Sequence, residues 1–353
     1  MTNNNEIFAN YYQKEKKIID DKIDKLNRKL LEETNPIIKE NLNYFTDLNS
    51  NGKNIRGLLV LLGYNLLKED NEYAIDLALA YEVFQTAILV HDDIIDQDDI
   101  RRGKCTISYR NKIKYASLKK NNKVHLSNSI ALCVGDYGLY LANKIISDSY
   151  QEDNNLGKIL SYFNQTVLDT IKGEILEITI PYENQTDEDL ENNIINIYLL
   201  KTAIYTISGP LSLGLLLAGA DNKKVEEIKE FGEKIGIAFQ IQDDILGIFS
   251  NQIGKNLATD IKENKKTLLY QSVMKTKYKE EFLKYCGKKN LNKKDIEKIK
   301  EIFIKSKAKE NCENKMNSLY YEGEKILEKI SWISTERKKI LFGFINMLKI
   351  RNK

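Results

Sequence analysis

Proline is scarce in this chain, three residues in 353, so helices can run long without a residue that lacks a backbone N–H. Two histidines, His91 and His125, leave little material for a histidine-rich zinc site or for histidine general-base catalysis. The four cysteines, Cys105, Cys133, Cys286 and Cys312, lie far apart with no C-x-x-C pair. That spacing disfavours a disulfide framework or zinc knuckle and suits a reducing cytoplasm. Cys105 stands near Arg101 and Arg102, but without a histidine partner it is read as structural. No sign of charge dominates: 54 Lys and Arg against 51 Asp and Glu give +3, too balanced for a dedicated nucleic-acid binder. There is no G-x-G-x-x-G, and Gly254-Lys255 lacks the earlier glycine and the following Ser or Thr of a phosphate-binding P-loop. The opening residues, MTNNNEIFANYYQKEKK, hold no apolar core of a secretory signal. The longest uncharged run, Thr202 to Ala220, contains Gly209, Pro210, Gly214 and Gly219. It reads as a buried helix broken near Gly209-Pro210, so no stable membrane insertion is expected.

What is present is helical period. Ile18, Ile19, Ile23, Leu26, Leu30 and Leu31 recur at three- and four-residue spacings among Lys and Asp. Similar stripes run over 58–67, 74–96, 130–146, 156–179, 192–218, 225–246, 267–286, 293–308 and 316–350. Short polar punctuation separates them at 49–53, 148–155, 181–189, 221–222 and 287–294. Alternating strand patterns are rare, and no composition shift marks a boundary. The expectation is one all-α domain over 1–353 with about ten to thirteen helices, its N-terminal helices within 1–50. The Lys-rich stretch 110–123 is expected to be a solvated surface loop.

The unusual feature is His91-Asp92-Asp93-Ile94-Ile95-Asp96-Gln97-Asp98-Asp99, five carboxylates within eight residues after a long apolar stripe. On a helix Asp92 and Asp96 share a face, and like charges at that spacing cost a few tenths of a kcal/mol. A hard divalent cation removes the repulsion, and magnesium uses one or two carboxylates together with phosphates and water. A polar helix end facing solvent explains this cluster equally well until the second is considered. Gln240-Ile241-Gln242-Asp243-Asp244 also closes an apolar stripe. Two acid pairs at helix ends could face one another across a cavity and hold magnesium on a diphosphate leaving group. Cations are spaced to match: Lys53 and Arg56, Arg101-Arg102-Gly103, Lys201-Thr202, and Lys255 and Lys265 flanking Asp260. Arg forks suit phosphate oxygens and Lys serves as a point charge.

These residues resemble the trans-isoprenyl diphosphate synthases, or polyprenyl synthetases, from about Gly52 to the C-terminus and in the family's order. DDxxD matches Asp92-Asp93-Ile94-Ile95-Asp96 and RRG matches Arg101-Arg102-Gly103. GKxxR matches Gly52-Lys53-Asn54-Ile55-Arg56, and FQxxDD matches Phe239-Gln240-Ile241-Gln242-Asp243-Asp244. Lys201-Thr202 and the Gly254-Lys255, Asp260, Lys265 series complete the set. The resemblance implies helices around a central cavity, usually in a homodimer, and condensation of isopentenyl diphosphate with an allylic diphosphate. It implies three magnesium ions on Asp92, Asp96 and Asp243, supported by Asp93, Asp244 and Asp260. Arg101, Lys201 and Lys255, with Lys265 and Gln240, would hold the allylic diphosphate, and Thr202 would lie beside the developing cation. Lys53, Arg56, Gln85 and Arg102 would bind isopentenyl diphosphate. The released diphosphate would accept the proton.

Some positions depart from the pattern. Gly247 stands where many members carry a third Asp, Asn54 where Arg is common, and Gly57 where Pro is common. Gly173-Glu174-Ile175-Leu176-Glu177 stands for GQxxD. Product length in the family depends on residues four, five and eight before the first Asp, here Ile88, Ala87 and Phe84. A small Ala87 argues against a stop at C15, and a C20 product is expected ahead of C25–C35. A class I terpene cyclase would carry N-D-x-x-S-x-x-x-E on its second wall, which is not found there. A non-catalytic regulatory subunit would be expected to lose first-motif acids, and Asp92, Asp93 and Asp96 are all present.

Overall fold

The computed structural model describes residues 4–50, 52–250 and 258–350. In chain order the elements are α1 (Asn4–Leu30), α2 (Pro36–Asn49), α3 (Ile55–Asn65) and α4 (Ile75–Ile95). A hairpin of β1 (Ile100–Arg101) and β2 (Lys104–Cys105) follows. Next come α5 (Ile107–Lys114), α6 (Lys120–Ser149), α7 (Leu156–Thr179) and α8 (Asp187–Ile197). A π-helical segment, Tyr198–Ser208, leads directly into α9 (Gly209–Leu217) and then α10 (Asn222–Phe249). The chain ends with α11 (Thr259–Lys262), α12 (Leu268–Met274), α13 (Lys279–Leu283), α14 (Lys293–Lys305), α15 (Ala308–Lys329) and α16 (Thr335–Ile350). The all-α class expected from the periodicity is what forms.

The helices fall into two compact units. One holds 10–161 and 213–219. Its centre is α4 packed along α6 and α3, with Phe45, Tyr81 and Phe84 fully buried. The other holds 1–9, 162–212 and 220–353. There α10 lies against the π segment and α15, and Phe231, Phe282, Phe303 and Phe344 fill the interior.

Local chemistry sets the boundaries. Asn35 caps α2 by accepting the N–H groups of Ile37 and Ile38, with Pro36 where a missing N–H costs nothing. Asp221 caps α10, and Asn292 with Asp295 forms a capping box on α14. The polar punctuation at 221–222 and 287–294 coincides with the starts of α10 and α14.

Four expectations need correction. The described residues hold sixteen α-helices rather than ten to thirteen, because short α11 follows α10 and the stripe 267–286 divides into α12 and α13. The stretch 110–123 is not one loop: Thr106 accepts the Tyr109 N–H and starts α5, which runs to Lys114, while α6 begins at Lys120. The stripe 316–350 is two helices, because Ser334 accepts the Arg337 N–H and opens α16. Gly209-Pro210 does not break its helix. Proline would clash with the carbonyl one α-turn before it, and the winding ahead of it is π, with the Gly209 N–H bonded to Ile204 O. The helical spans 72–95 and 187–217 are long and apolar enough to cross a bilayer, but 72% and 67% of their most apolar windows are buried inside the protein.

Candidate active site

The first acidic motif closes α4. Asp96 caps the helix, its N–H bonded to Asp92 O at 2.8 Å. Gln97 takes a left-handed conformation, φ 56°. The Asp98 N–H returns to Asp93 O at 3.0 Å and the Gln97 N–H to Ile94 O at 3.4 Å, the paired bonds of a Schellman ending. This turn leaves Asp92 and Asp96 half-buried on one side and sends Asp93 into the interior, 2% exposed. Carboxylates at a helix C-terminus oppose the helix dipole, which favours a cation there.

Asp93 is tied to the next motif. Arg101 Nε donates to Asp93 Oδ1 at 2.6 Å and its Nη2 to Asp98 at 3.0 Å. Burial pushes the Asp93 carboxyl up to about 6, although Arg101 opposes the shift. Arg102 and Gly103 form the tip of the hairpin, at φ 52° and 75°. Two successive positive φ values define a type I′ turn, which explains the glycine. Arg102 Nη1 donates to Leu48 O at 2.9 Å. A β-carbon on Gly52 would stand 3.4 Å from that same nitrogen, so the turn carrying Lys53 lies beside Arg102. Glu82 is buried on α4 and accepts the Gly57 N–H at 2.7 Å. Burial raises its carboxyl above the ordinary range against the opposing charges of Arg56 and Arg102. Lys53, Arg56, Arg102 and, one α4 turn on from Glu82, Gln85 therefore share one neighbourhood.

The departures in this region have local causes. Asn54 sits at φ 52° before α3 and donates to Asp20 Oδ1 at 2.6 Å. Asn tolerates that conformation better than Arg. Gly57 supplies Glu82 with an N–H that proline could not.

The second motif lies within α10. Asp243 is half-buried while Asp244 is buried. Asp244 accepts from Tyr198 Oη and from Gln240 Nε2, the latter at 2.8 Å. Gln240 Oε1 accepts from Thr202 Oγ1 at 2.6 Å, and Tyr198 Oη accepts the Leu268 N–H at 3.0 Å. Burial, then the nearby charge of Asp260, holds the Asp244 carboxyl well above the ordinary range. A β-carbon on Gly247 would lie 3.7 Å from Asp260 Oδ2, so the Asp260 carboxylate fills the space beside the position where a third Asp is usual.

Lys201 and Thr202 occupy the π segment. Lys201 Nζ meets Glu174 at 2.5 Å and Glu177 at 2.6 Å. Lys265 meets Glu263 at 3.0 Å and Glu177 at 3.5 Å. A β-carbon on Gly173 would come within 2.6 Å of the Lys201 backbone nitrogen; glycine here lets the two backbones approach. Burial favours a neutral Glu177, but Lys201 and Lys265 outweigh it and lower its pKa. Lys255 and Gly254 lie outside the described residues.

Ala87 and Phe84 are both fully buried. A β-carbon on Gly138 of α6 would stand 2.9 Å from the Ala87 methyl and 2.8 Å from the Phe45 ring. Ala87 therefore packs between helices, whereas Ile88 is partly exposed on the side nearer Asp92. His91 Nε2 is engaged with Leu132 O at 3.3 Å and Asp136 at 3.4 Å. Tyr198 and Glu82 were not legible as site residues. The one clue to each is that a buried carboxylate needs donors and a charged cluster needs a counter-ion.

All these donors are oxygen, the chemistry magnesium prefers. Among the described residues no three His, Cys, Asp or Glu side chains converge on a point that could hold a metal. Carboxylates supplied one or two at a time fit magnesium shared with phosphate rather than a closed protein cage.

Comparisons with known proteins identify the family. The family model for polyprenyl synthetase matches residues 35–303, which takes in parts of both units. Geranylgeranyl diphosphate synthase of Sulfolobus acidocaldarius is 30% identical over 263 residues, 72% of this chain and 74% of that protein. Geranylfarnesyl diphosphate synthase of Aeropyrum pernix is 28% identical over 304 residues, 83% and 88% of the two chains. The crystal structure of geranylgeranyl pyrophosphate synthase from Corynebacterium glutamicum, complexed with isoprenyl diphosphate and magnesium, superposes with a TM-score of 0.84. It is 26% identical, and the match covers 95% of this chain and 97% of that one. The chain belongs to the polyprenyl synthetase family.

Proposed function

We propose that the protein is a trans-prenyltransferase that condenses isopentenyl diphosphate with an allylic diphosphate, and that both helical units belong to one catalytic domain. The observation that carries the reading is the presence of two separate cation sets. Lys53, Arg56 and Arg102 lie around Glu82 and the turn at Gly52, and Lys201 and Lys265 meet at Glu177. A cyclase, which takes one diphosphate, has no use for the first set.

In this reading Asp92, Asp96 and Asp243 hold magnesium, with Asp260 adding charge and the buried Asp93 and Asp244 fixing their neighbours. Three ions are proposed. Magnesium, when bound, neutralises the diphosphate as it leaves. Arg101, Lys201, Lys265 and Lys255 orient the allylic diphosphate. Gln240 assists in holding that diphosphate, and Thr202, whose hydroxyl donates to Gln240 Oε1, presents its oxygen dipole to the allylic cation. Lys53, Arg56, Arg102 and Gln85 hold isopentenyl diphosphate so that its double bond meets that cation. With His91 committed to α6, the departing diphosphate takes the proton.

A C20 product is the first choice, supported by the geranylgeranyl synthase relative, and a C25 product follows from the geranylfarnesyl relative. A homodimer is supported by α7, where Leu168, Ile171, Ile175 and Ile178 form an exposed apolar stripe. Four unpaired thiols, Cys133 exposed among them, suit the cytoplasm.

The test incubates purified protein with magnesium, radiolabelled isopentenyl diphosphate and C5, C10 or C15 allylic diphosphates, then separates the dephosphorylated products. A ladder of labelled prenyl alcohols is expected, ending mainly at C20. No incorporation with any primer by folded protein overturns the reading.

A further inference from the structure

Lys201 is held by two carboxylates where one would orient it. Glu174 and Glu177 both contact its ammonium, and all three side chains are less than one-fifth exposed. Glu177 bridges Lys201 to Lys265 and so fixes two cations at once. The Lys201 backbone is already fixed by its close approach to Gly173. Glu174, 2.5 Å from the Lys201 ammonium, adds a second negative charge where that ammonium must also attract an anion. A charge within a few ångströms of a partly buried site is felt strongly, because little water screens it.

We propose that Glu174 is a positioning residue that weakens diphosphate binding at Lys201. It competes for the ammonium and speeds release of the diphosphate formed in each turnover. The inference rests on the reading of Lys201 as a ligand of the allylic diphosphate.

Glu174→Gln keeps the size of the side chain and removes its charge. With inorganic diphosphate and magnesium as the probe, calorimetry on the full chain is expected to show binding tightened about three- to tenfold. KM for the allylic substrate should fall by a similar factor, KM for isopentenyl diphosphate should not change, and the multiple-turnover rate should fall while the single-turnover rate holds. Glu174→Asp retains the charge and should bind diphosphate as the parent does, which separates charge from packing. Glu174→Ala provides the same charge removal should the Gln variant fail to fold. Unchanged or weaker diphosphate binding in the folded charge-removal variants overturns the proposal. If the parent protein elongates no primer, it is the prenyltransferase reading that fails, and the two failures are thereby distinguished.

Discussion

The two Asp-Asp pairs look alike in sequence and are built differently. At the end of α4, Asp92 stays half-buried while Asp93 turns inward to Arg101, so its burial is offset by a full opposite charge. Within α10, Asp243 stays half-buried while Asp244 turns inward to Tyr198 and Gln240, both neutral donors. In each pair one aspartate remains accessible and its neighbour is spent on the fold. The lesson is that a motif letter need not mean a ligand. A helix rotates successive residues by about 100°, so adjacent aspartates cannot both face the same ligand.

The largest expected effect tests what the pairs share. Asp92→Ala and Asp243→Ala should each lower turnover about 10²–10³-fold with melting temperature almost unchanged. A variant that keeps near-normal activity would show that its aspartate holds no magnesium.

The buried partners should then separate. Asp244→Ala strands the Tyr198 hydroxyl and the Gln240 amide and should cost about 2–4 kcal/mol of stability. Asp93→Ala leaves Arg101 with Asp98 and some water and should cost about 1–2 kcal/mol. Urea unfolding measures both, and equal losses would erase the distinction between ion pair and neutral network.

The packing around α4 gives a smaller effect. Ala87→Phe forces a ring into the contact with Gly138 and Phe45 and should destabilise by about 1–3 kcal/mol. It should also shorten the main product, read by chromatography. A shortened product without loss of stability would mean that the residue opens onto a cavity rather than packing between helices.

The smallest effect concerns the charges near α10. The lowered pKa of Glu177 stabilises the folded state above the unfolded value near 4.5, and that contribution disappears as pH falls through the folded pKa. Melting temperature should therefore drop below about pH 4.5, and Glu177→Gln should flatten that drop. A parallel drop in both proteins would remove Glu177 as its cause.

The helical class, most helix boundaries and the order of the motifs were legible because period, caps and charge spacing are local properties of the chain. Asp221 and Asn292, which cap α10 and α14, lie in the polar punctuation at 221–222 and 287–294 that separates the stripes. Two other boundaries are just as local but carry no mark in the hydrophobic period. The start of α5 depends on the Thr106 side chain reaching forward to Tyr109, within a stretch whose lysines suggest only a solvated surface. The division of 316–350 depends on a single serine within a continuous apolar stripe.

The sequence by itself determined which residues could do chemistry: the acids, the cations and their order along the chain. Tertiary structure alone decided which acid of each pair is buried, that Tyr198 bonds Asp244 and Glu82 holds the Gly57 N–H, and that Lys201 is shared between Glu174 and Glu177. The reason is desolvation. The cost of a buried charge and the partners that offset it depend on side chains brought together from distant parts of the chain, and no local pattern encodes that meeting.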